Sequence, residues 1–228
     1  MSIFDEIAAI GVVPVLVVDT DVDVAGLADA LVDGGLPCAE VTFRTPAAIE
    51  AVAALSAARP DLLVGAGTVL TVAQAEAATA AGARFVVSPH FDAEVVAWCV
   101  DRGIPVAPGA ATPTEVVTAM RSGAGLVKFF PAESAGGVRA LATLSGVYPG
   151  VRFMPTGGID ADNLADYLAI PAVAACGGTW IAPRVGGGGR APPPGGPGAP
   201  RPAPPRAGGG GGGRRRPGGG GGGGGAGR

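Results

Sequence analysis

The sequence holds a single lysine, Lys128, inside the apolar run Gly125-Leu126-Val127-Lys128-Phe129-Phe130-Pro131. An ammonium among Leu, Val and Phe is costly to keep charged. Only a neutral amine attacks a carbonyl, so a lone lysine in such surroundings points to imine-forming nucleophilic catalysis. A second polar set lies on Cys38-Ala39-Glu40-Val41-Thr42-Phe43-Arg44. Alternation along a strand puts Glu40, Thr42 and Arg44 on one face, and Ala39, Val41 and Phe43 on the other. Leu126, Lys128 and Phe130 share a face in the same way. An acid for proton transfer, a guanidinium for an anion and an amine nucleophile are thus all expected on inward strand faces. A Glu40–Lys128 ion pair serving only the fold is the plainer reading, but buried pairs are a poor source of stability.

Those strands belong to a repeating pattern. Apolar runs at 12–18, 38–43, 62–65, 85–88, 104–107, 126–129, 153–156 and 173–176 read as eight strands. Helical stretches fit between them at 22–32, 47–58, 72–81, 93–101, 114–121, 138–144 and 161–168, with a further helix at 3–10 ahead of the first strand. Thr45-Pro46 reads as the cap and first turn of the second of these. Strands apolar on both faces and joined by helices require a parallel sheet covered on its outside. Eight such units predict an α/β fold, a closed (β/α)8 TIM barrel with an N-terminal helix, rather than an open doubly wound sheet.

The barrel is expected to occupy residues 1–185, because composition breaks there. From 186 to 228 the chain uses only Gly, Pro, Arg and Ala. No core can be built from these four, so the segment reads as a low-complexity, disordered tail in place of the last barrel helix. Its codons can be written with G and C alone, which suggests an out-of-frame read of GC-rich DNA. The alternative, a basic tail for nucleic acid, lacks the interleaved aromatics such tails carry. All nineteen acids precede the tail, against nine of the sixteen basic residues, so residues 1–185 carry a net charge of −10. That balance argues against nucleic acid as a partner. The longest apolar run, 12–18, is interrupted by Pro14 and is too short for a membrane span. Cys38, Cys99 and Cys176 form no CxxC and are odd in number, so a reducing, cytoplasmic setting is expected.

Small and polar residues collect after several strands, where a barrel keeps its active site. Gly157-Gly158 follows the seventh strand and Gly177-Gly178 the eighth, which lets backbone N–H groups approach a phosphate. His90, the only histidine, reads as a solvated loop residue rather than a general acid or base. No His, Asp or Glu cluster has metal-ligand spacing, so neither a metal nor another cofactor is expected.

Taken in order, Glu40-Val41-Thr42-Phe43-Arg44-Thr45, Gly65-Ala66-Gly67-Thr68-Val69, Ser88-Pro89, Pro108-Gly109, Thr112-Pro113-Thr114-Glu115, Lys128-Phe129-Phe130-Pro131-Ala132, Pro155-Thr156-Gly157-Gly158 and Gly177-Gly178-Thr179-Trp180 resemble the 2-keto-3-deoxy-6-phosphogluconate (KDPG) aldolase family, which also handles 4-hydroxy-2-oxoglutarate (KHG). The resemblance spans residues 3–183. It implies a class I aldolase with Lys128 as the Schiff-base lysine and Glu40 as general acid/base. It implies that Arg44 and Thr68 hold the carboxylate of a small 2-keto acid, and that Pro89, Phe130 and Thr156 line its pocket. Gly157, Gly158, Gly178 and Thr179 are then the phosphate site. A cytoplasmic homotrimer without metal is implied as well. Thr179 stands where the family commonly has Ser, keeping the hydroxyl, and the family pattern stops after Pro183. Competing readings are an aldolase for the galactonate analogue of KDPG, another phosphate-binding barrel such as an isomerase, and an inactive truncated barrel.

Overall fold

A computed structural model describes residues 1–20 and 22–182. The tail, and with it the expected loss of the last helix, lies outside the described residues. Helix α1 (Ile3–Ile10) is opened by Ser2, whose hydroxyl accepts from the Asp5 N–H while the Asp5 carboxylate accepts from the Ser2 N–H. This reciprocal box satisfies two of the orphan donors at a helix start. Gly11, at φ +80°, turns the chain directly into β1 (Val12–Leu16). Next come α2 (Val24–Asp33), β2 (Cys38–Thr42), α3 (Ala48–Ala58), β3 (Leu63–Gly67), α4 (Val72–Ala80), β4 (Val86–Val87) and α5 (Ala93–Asp101). The chain continues through β5 (Val106–Ala107), β6 (Gly109–Ala110), α6 (Pro113–Arg121), β7 (Lys128–Phe129), α7 (Gly137–Val147), α8 (Leu164–Leu168) and β8 (Cys176–Gly178).

All strand pairs are parallel. Six strands run in the order β5-β4-β3-β2-β1-β8, and β6 pairs with β7. Bridges from Val127 to Phe153, Phe153 to Val173 and Thr156 to Gly177 close the ring. Eight positions therefore surround the axis, as the eight-unit sequence pattern requires of a (β/α)8 barrel. Two of the positions are thinner than expected. The fifth breaks into β5 and β6 at Pro108, which has no N–H to donate but whose carbonyl accepts from Lys128 N at 2.9 Å. The seventh, expected over 153–156, is reduced to the bridges at Phe153 and Thr156.

Two further expectations are corrected. Thr45 does not cap α3, which has no side-chain cap; its hydroxyl donates to Val18 O at 2.6 Å and ties the loops after β1 and β2 together. The helix expected over 161–168 is only Leu164–Leu168, because Asp160 Oδ1 draws the N–H groups of Asp162 and Asn163 into a turn.

Strand parity sorts the core into an interior and two outer layers. Val13, Cys38, Leu63, Phe85, Val87, Ala107, Leu126, Met154 and Ala175 fill the inside, and Phe4 and Ile7 of α1 join them. Leu16, Val41, Val64, Val86 and their neighbours pack outward against α2 to α5. Val127, Phe129, Phe153 and Cys176 pack outward against α6 to α8. Phe129 is thus on the helix side, away from the Lys128 amine.

Candidate active site

The inward faces above the interior apolar layer converge on one cavity of about 190 Å³. Glu40 and Thr42 come from β2, Arg44 from just beyond it, and Thr68 from the turn after β3. Lys128 and Phe130 come from β7 and its end, Thr156, Gly157 and Gly158 from the seventh position, and Gly178 and Thr179 from the eighth. Of the eleven residues expected at the site, ten line this cavity. Pro89 does not; its carbonyl lies against Gly109, at 2.2 Å from where a Cβ on that glycine would stand. Val15 and Ile159 line the cavity unforeseen. Val15 has the parity of inward Val13, a signal that was present in the sequence; Ile159 sits in a loop where no periodicity applies.

Lys128 Nζ donates to Glu40 Oε1 at 3.0 Å, with Glu40 wholly buried and Lys128 only 4% exposed. The amine also lies 5.4 Å from the centre of the Phe130 ring, close enough for a cation–π attraction. Glu40 Oε2 is buried and has no hydrogen-bond partner. An unsatisfied buried oxygen costs about 1–3 kcal/mol. The arrangement is therefore poor as a stabiliser and suited to a carboxylate awaiting a proton from something else.

Room for that carboxylate comes from β3. A Cβ on Gly67 would stand 2.1 Å from Glu40 Oε1, and one on Gly65 would stand 2.2 Å from the Phe85 ring. Both glycines face inward, and each leaves space for a neighbour's side chain. Thr68 follows with φ +56°, the one non-glycine among the described residues with positive φ. Such strain persists only where the surroundings enforce it. Here Val69 N donates to Val87 O, and the buried Ser88 hydroxyl donates to Val69 O at 2.8 Å, pinning the turn to β4. Ser88 thus acts on the site through Thr68 rather than by facing the cavity.

The far wall is anion-friendly. Gly157 and Gly158 adopt φ +101° and +80°. Gly157 O accepts from Glu133 N, and Gly158 O from Asn163 Nδ2. The Gly157 N–H faces Gly177 O across the Thr156–Gly177 bridge, whereas the N–H groups of Gly158 and Ile159 donate to nothing among the described residues. Successive free N–H groups of this kind form a nest for an anion. Gly177 and Gly178 carry no Cβ for a different reason: one would meet Thr156 Oγ1 at 2.4 Å, the other the Trp180 ring. His90 is exposed in its loop.

A cavity that joins a buried lysine–carboxylate pair to an arginine and a glycine nest suits a small anionic carbonyl compound. The family model for KDPG and KHG aldolase matches residues 3–185. A 2-dehydro-3-deoxy-phosphogluconate aldolase of Treponema pallidum is 50% identical over 183 residues, covering 80% of this chain and 87% of that protein. The KHG/KDPG aldolase of Escherichia coli K12 is 43% identical over 172 residues, covering 75% of this chain and 81% of that protein. The crystal structure of a KDPG aldolase from Legionella pneumophila, with pyruvate captured as a covalent carbinolamine intermediate, superposes with a TM-score of 0.75 at 43% identity, covering 80% of this chain and 89% of that one. The chain belongs to the KDPG and KHG aldolase family.

Proposed function

We propose that this protein is a class I aldolase that cleaves KDPG to pyruvate and glyceraldehyde 3-phosphate, and KHG to pyruvate and glyoxylate. The observation that carries the reading is the Lys128–Glu40 pair, buried at 3.0 Å at the base of a cavity that also holds Arg44. Lys128 Nζ attacks the C2 ketone, and its surplus proton passes to the adjacent Glu40 Oε1. Glu40 returns that proton to the C2 oxygen, which leaves as water with the second proton lost from nitrogen, giving an iminium and a free carboxylate. The C3–C4 electron pair then flows into that iminium, giving the enamine of pyruvate, while Glu40 takes the C4 hydroxyl proton and the aldehyde departs. Protonation of the enamine at C3 and hydrolysis of the imine return the free amine. Glu40 Oε2, which has no protein partner, is the atom open to the substrate hydroxyl.

Arg44 and Thr68 take the substrate carboxylate, Phe130 and Thr156 wall the reacting carbons, and Gly157, Gly158, Gly178 and Thr179 take the phosphate. Pro89 stands outside the cavity, its carbonyl against Gly109, which pairs with Lys128. A homotrimer in the cytoplasm completes the proposal. The family resemblance supports both, and light scattering with fractionation checks them.

Borohydride reduction in the presence of pyruvate tests the chemistry. One pyruvyl adduct is expected, on the Lys128 peptide alone. Equal labelling in Lys128→Ala, at the α-amine for instance, rejects the imine. Glu40→Gln is expected to trap pyruvate yet cleave at least about 10²-fold more slowly, the usual worth of general acid–base catalysis.

A further inference from the structure

The Gly157–Gly158 turn is held from behind by groups that never enter the cavity. Tyr167 of α8 is wholly buried, and its hydroxyl donates to Glu133 Oε1. The Glu133 side chain fills the space behind Gly158, where a Cβ would meet its Cγ at 2.6 Å. Glu133 N donates to Gly157 O at 3.0 Å. From the other side Asn163 Nδ2 donates to Gly158 O at 3.0 Å, and Asn163 Oδ1 accepts from Asp160 N at 3.0 Å. Both turn carbonyls are thereby engaged outside the cavity, and the N–H groups of Gly158 and Ile159 are left without acceptors among the described residues.

A turn with two positive-φ glycines has more backbone freedom than any other two-residue segment. Left alone it would lose that freedom on binding an anion, at a cost in affinity. We propose that Glu133, Tyr167 and Asn163 are positioning residues that pre-set this turn as an anion receptor, and so govern how strongly phosphorylated substrates are preferred over unphosphorylated ones. The inference rests on the proposed phosphate role of the glycines. None of the three residues touches the reacting carbons. Tyr167 acts only through Glu133, and Asn163 acts only through the Gly158 carbonyl.

The test uses the full chain and the variants Asn163→Ala, Tyr167→Phe, Glu133→Ala and Glu133→Gln. Each is assayed with KDPG and with KHG, and each is titrated with inorganic phosphate as competitor. Asn163→Ala, Tyr167→Phe and Glu133→Ala are expected to raise KM for KDPG and weaken phosphate competition by about tenfold, the worth of one well-placed hydrogen bond. Their kcat/KM for KHG and their borohydride trapping of pyruvate should stay within about twofold of wild type, since binding is lost only at the anion. Glu133→Gln keeps the side chain's volume and an acceptor for Tyr167, so it should retain the wild-type phosphate response. Equal losses on both substrates, or undiminished phosphate competition in the first three variants, overturn the assignment while leaving the phosphate site intact. A wild type indifferent to phosphate removes the phosphate site and this inference together. Should Tyr167→Phe fold poorly, the comparison of Glu133→Ala with Glu133→Gln decides alone.

Discussion

A methyl group at position 67 would stand 2.1 Å from Glu40 Oε1, so the smallest substitution in β3 reaches the proposed acid/base directly. Glu40 is fully buried, and its carboxylate can yield only by swinging away from Lys128. Gly67→Ala is therefore expected to fold and to cleave KDPG about 10²-fold more slowly, as if Glu40 itself had been removed. Wild-type turnover would mean that the carboxylate works from another position. The pair's energetics give a complementary expectation. A buried ion pair with one oxygen unsatisfied is often replaced by apolar residues at no loss, or with a gain of about 1–4 kcal/mol. The double variant Glu40→Leu with Lys128→Met should be inactive and at least as stable as wild type in urea. Marked destabilisation would reveal a structural role after all. Both positions were readable in the sequence, because a period of two alone sends Glu40, Arg44 and Lys128 inward among aliphatic residues. What Gly65 and Gly67 are for was not readable. Their missing Cβ atoms make room for Phe85 and Glu40, side chains brought in from neighbouring strands by pairing that no local pattern encodes. Pro89 shows the converse: it belongs to the motif set, yet it lies outside the cavity, its carbonyl against Gly109.

At the scale of elements, the helices followed their sequence signals closely, apart from the missing Thr45 cap and the shortened α8, and the strands less so. Helix ends are set locally. Thr112-Pro113-Thr114-Glu115 is a capping box with proline at the first helical position, formed as its spacing demands. The Glu115 carboxylate accepts from the N–H groups of Ala111 and Thr112, each at 2.9 Å, and these bonds hold its pKa below the usual carboxylate value, Ala111 contributing most. A carboxyl group with a depressed folded-state pKa adds stability above its unfolded pKa and loses it as pH falls through the folded one. Glu115→Ala should therefore cost about 1 kcal/mol near neutrality, the usual worth of a helix cap. The difference between variant and wild type should shrink as the pH drops below about 4, where the carboxylate of the unfolded chain is protonated. A penalty that persists unchanged at pH 3 would assign it to helix propensity instead. Strand ends, by contrast, depend on where a partner's hydrogen bonds stop. Hydropathy marked 153–156 as a strand, but its ladder survives only at Phe153 and Thr156. The eighth strand runs at Cys176–Gly178, later than its apolar run suggested, because Val12, Val13 and Pro14 of β1 pair there.

The molecule as a whole is a ring open at two ends, one given to chemistry and the other closed by α1. Phe4 and Ile7 pack under the interior layer against residues drawn from strands all around the barrel. Arg152, just ahead of the seventh position, fastens the plug, donating through Nη1 to Asp5 Oδ1 and through Nη2 to Phe4 O, both at 2.9 Å. Removing a buried phenylalanine costs about 3–5 kcal/mol, a large share of the ~5–15 kcal/mol that holds a domain together. Phe4→Ala should lower the urea midpoint accordingly while leaving KM for KDPG unchanged at 25 °C, since the cavity lies at the other end. The three thiols can report where the damage falls, because each sits in a different part of the core: Cys38 inside the ring, Cys99 on the buried face of α5 and Cys176 beneath the helices of the second half. Burial pushes Cys99 up to about 11 and Cys176 up to about 12, with Cys38 higher still, its burial reinforced by the nearby Glu40 charge. A buried thiol that is also protonated reacts only after the structure opens around it. In wild type at pH 8 all three should resist alkylation alike, at the rate of opening. In Phe4→Ala, Cys38 should become reactive first, with Cys99 and Cys176 trailing. Simultaneous exposure of all three would show that the plug holds the entire barrel as one cooperative unit, with no separate opening of its closed end.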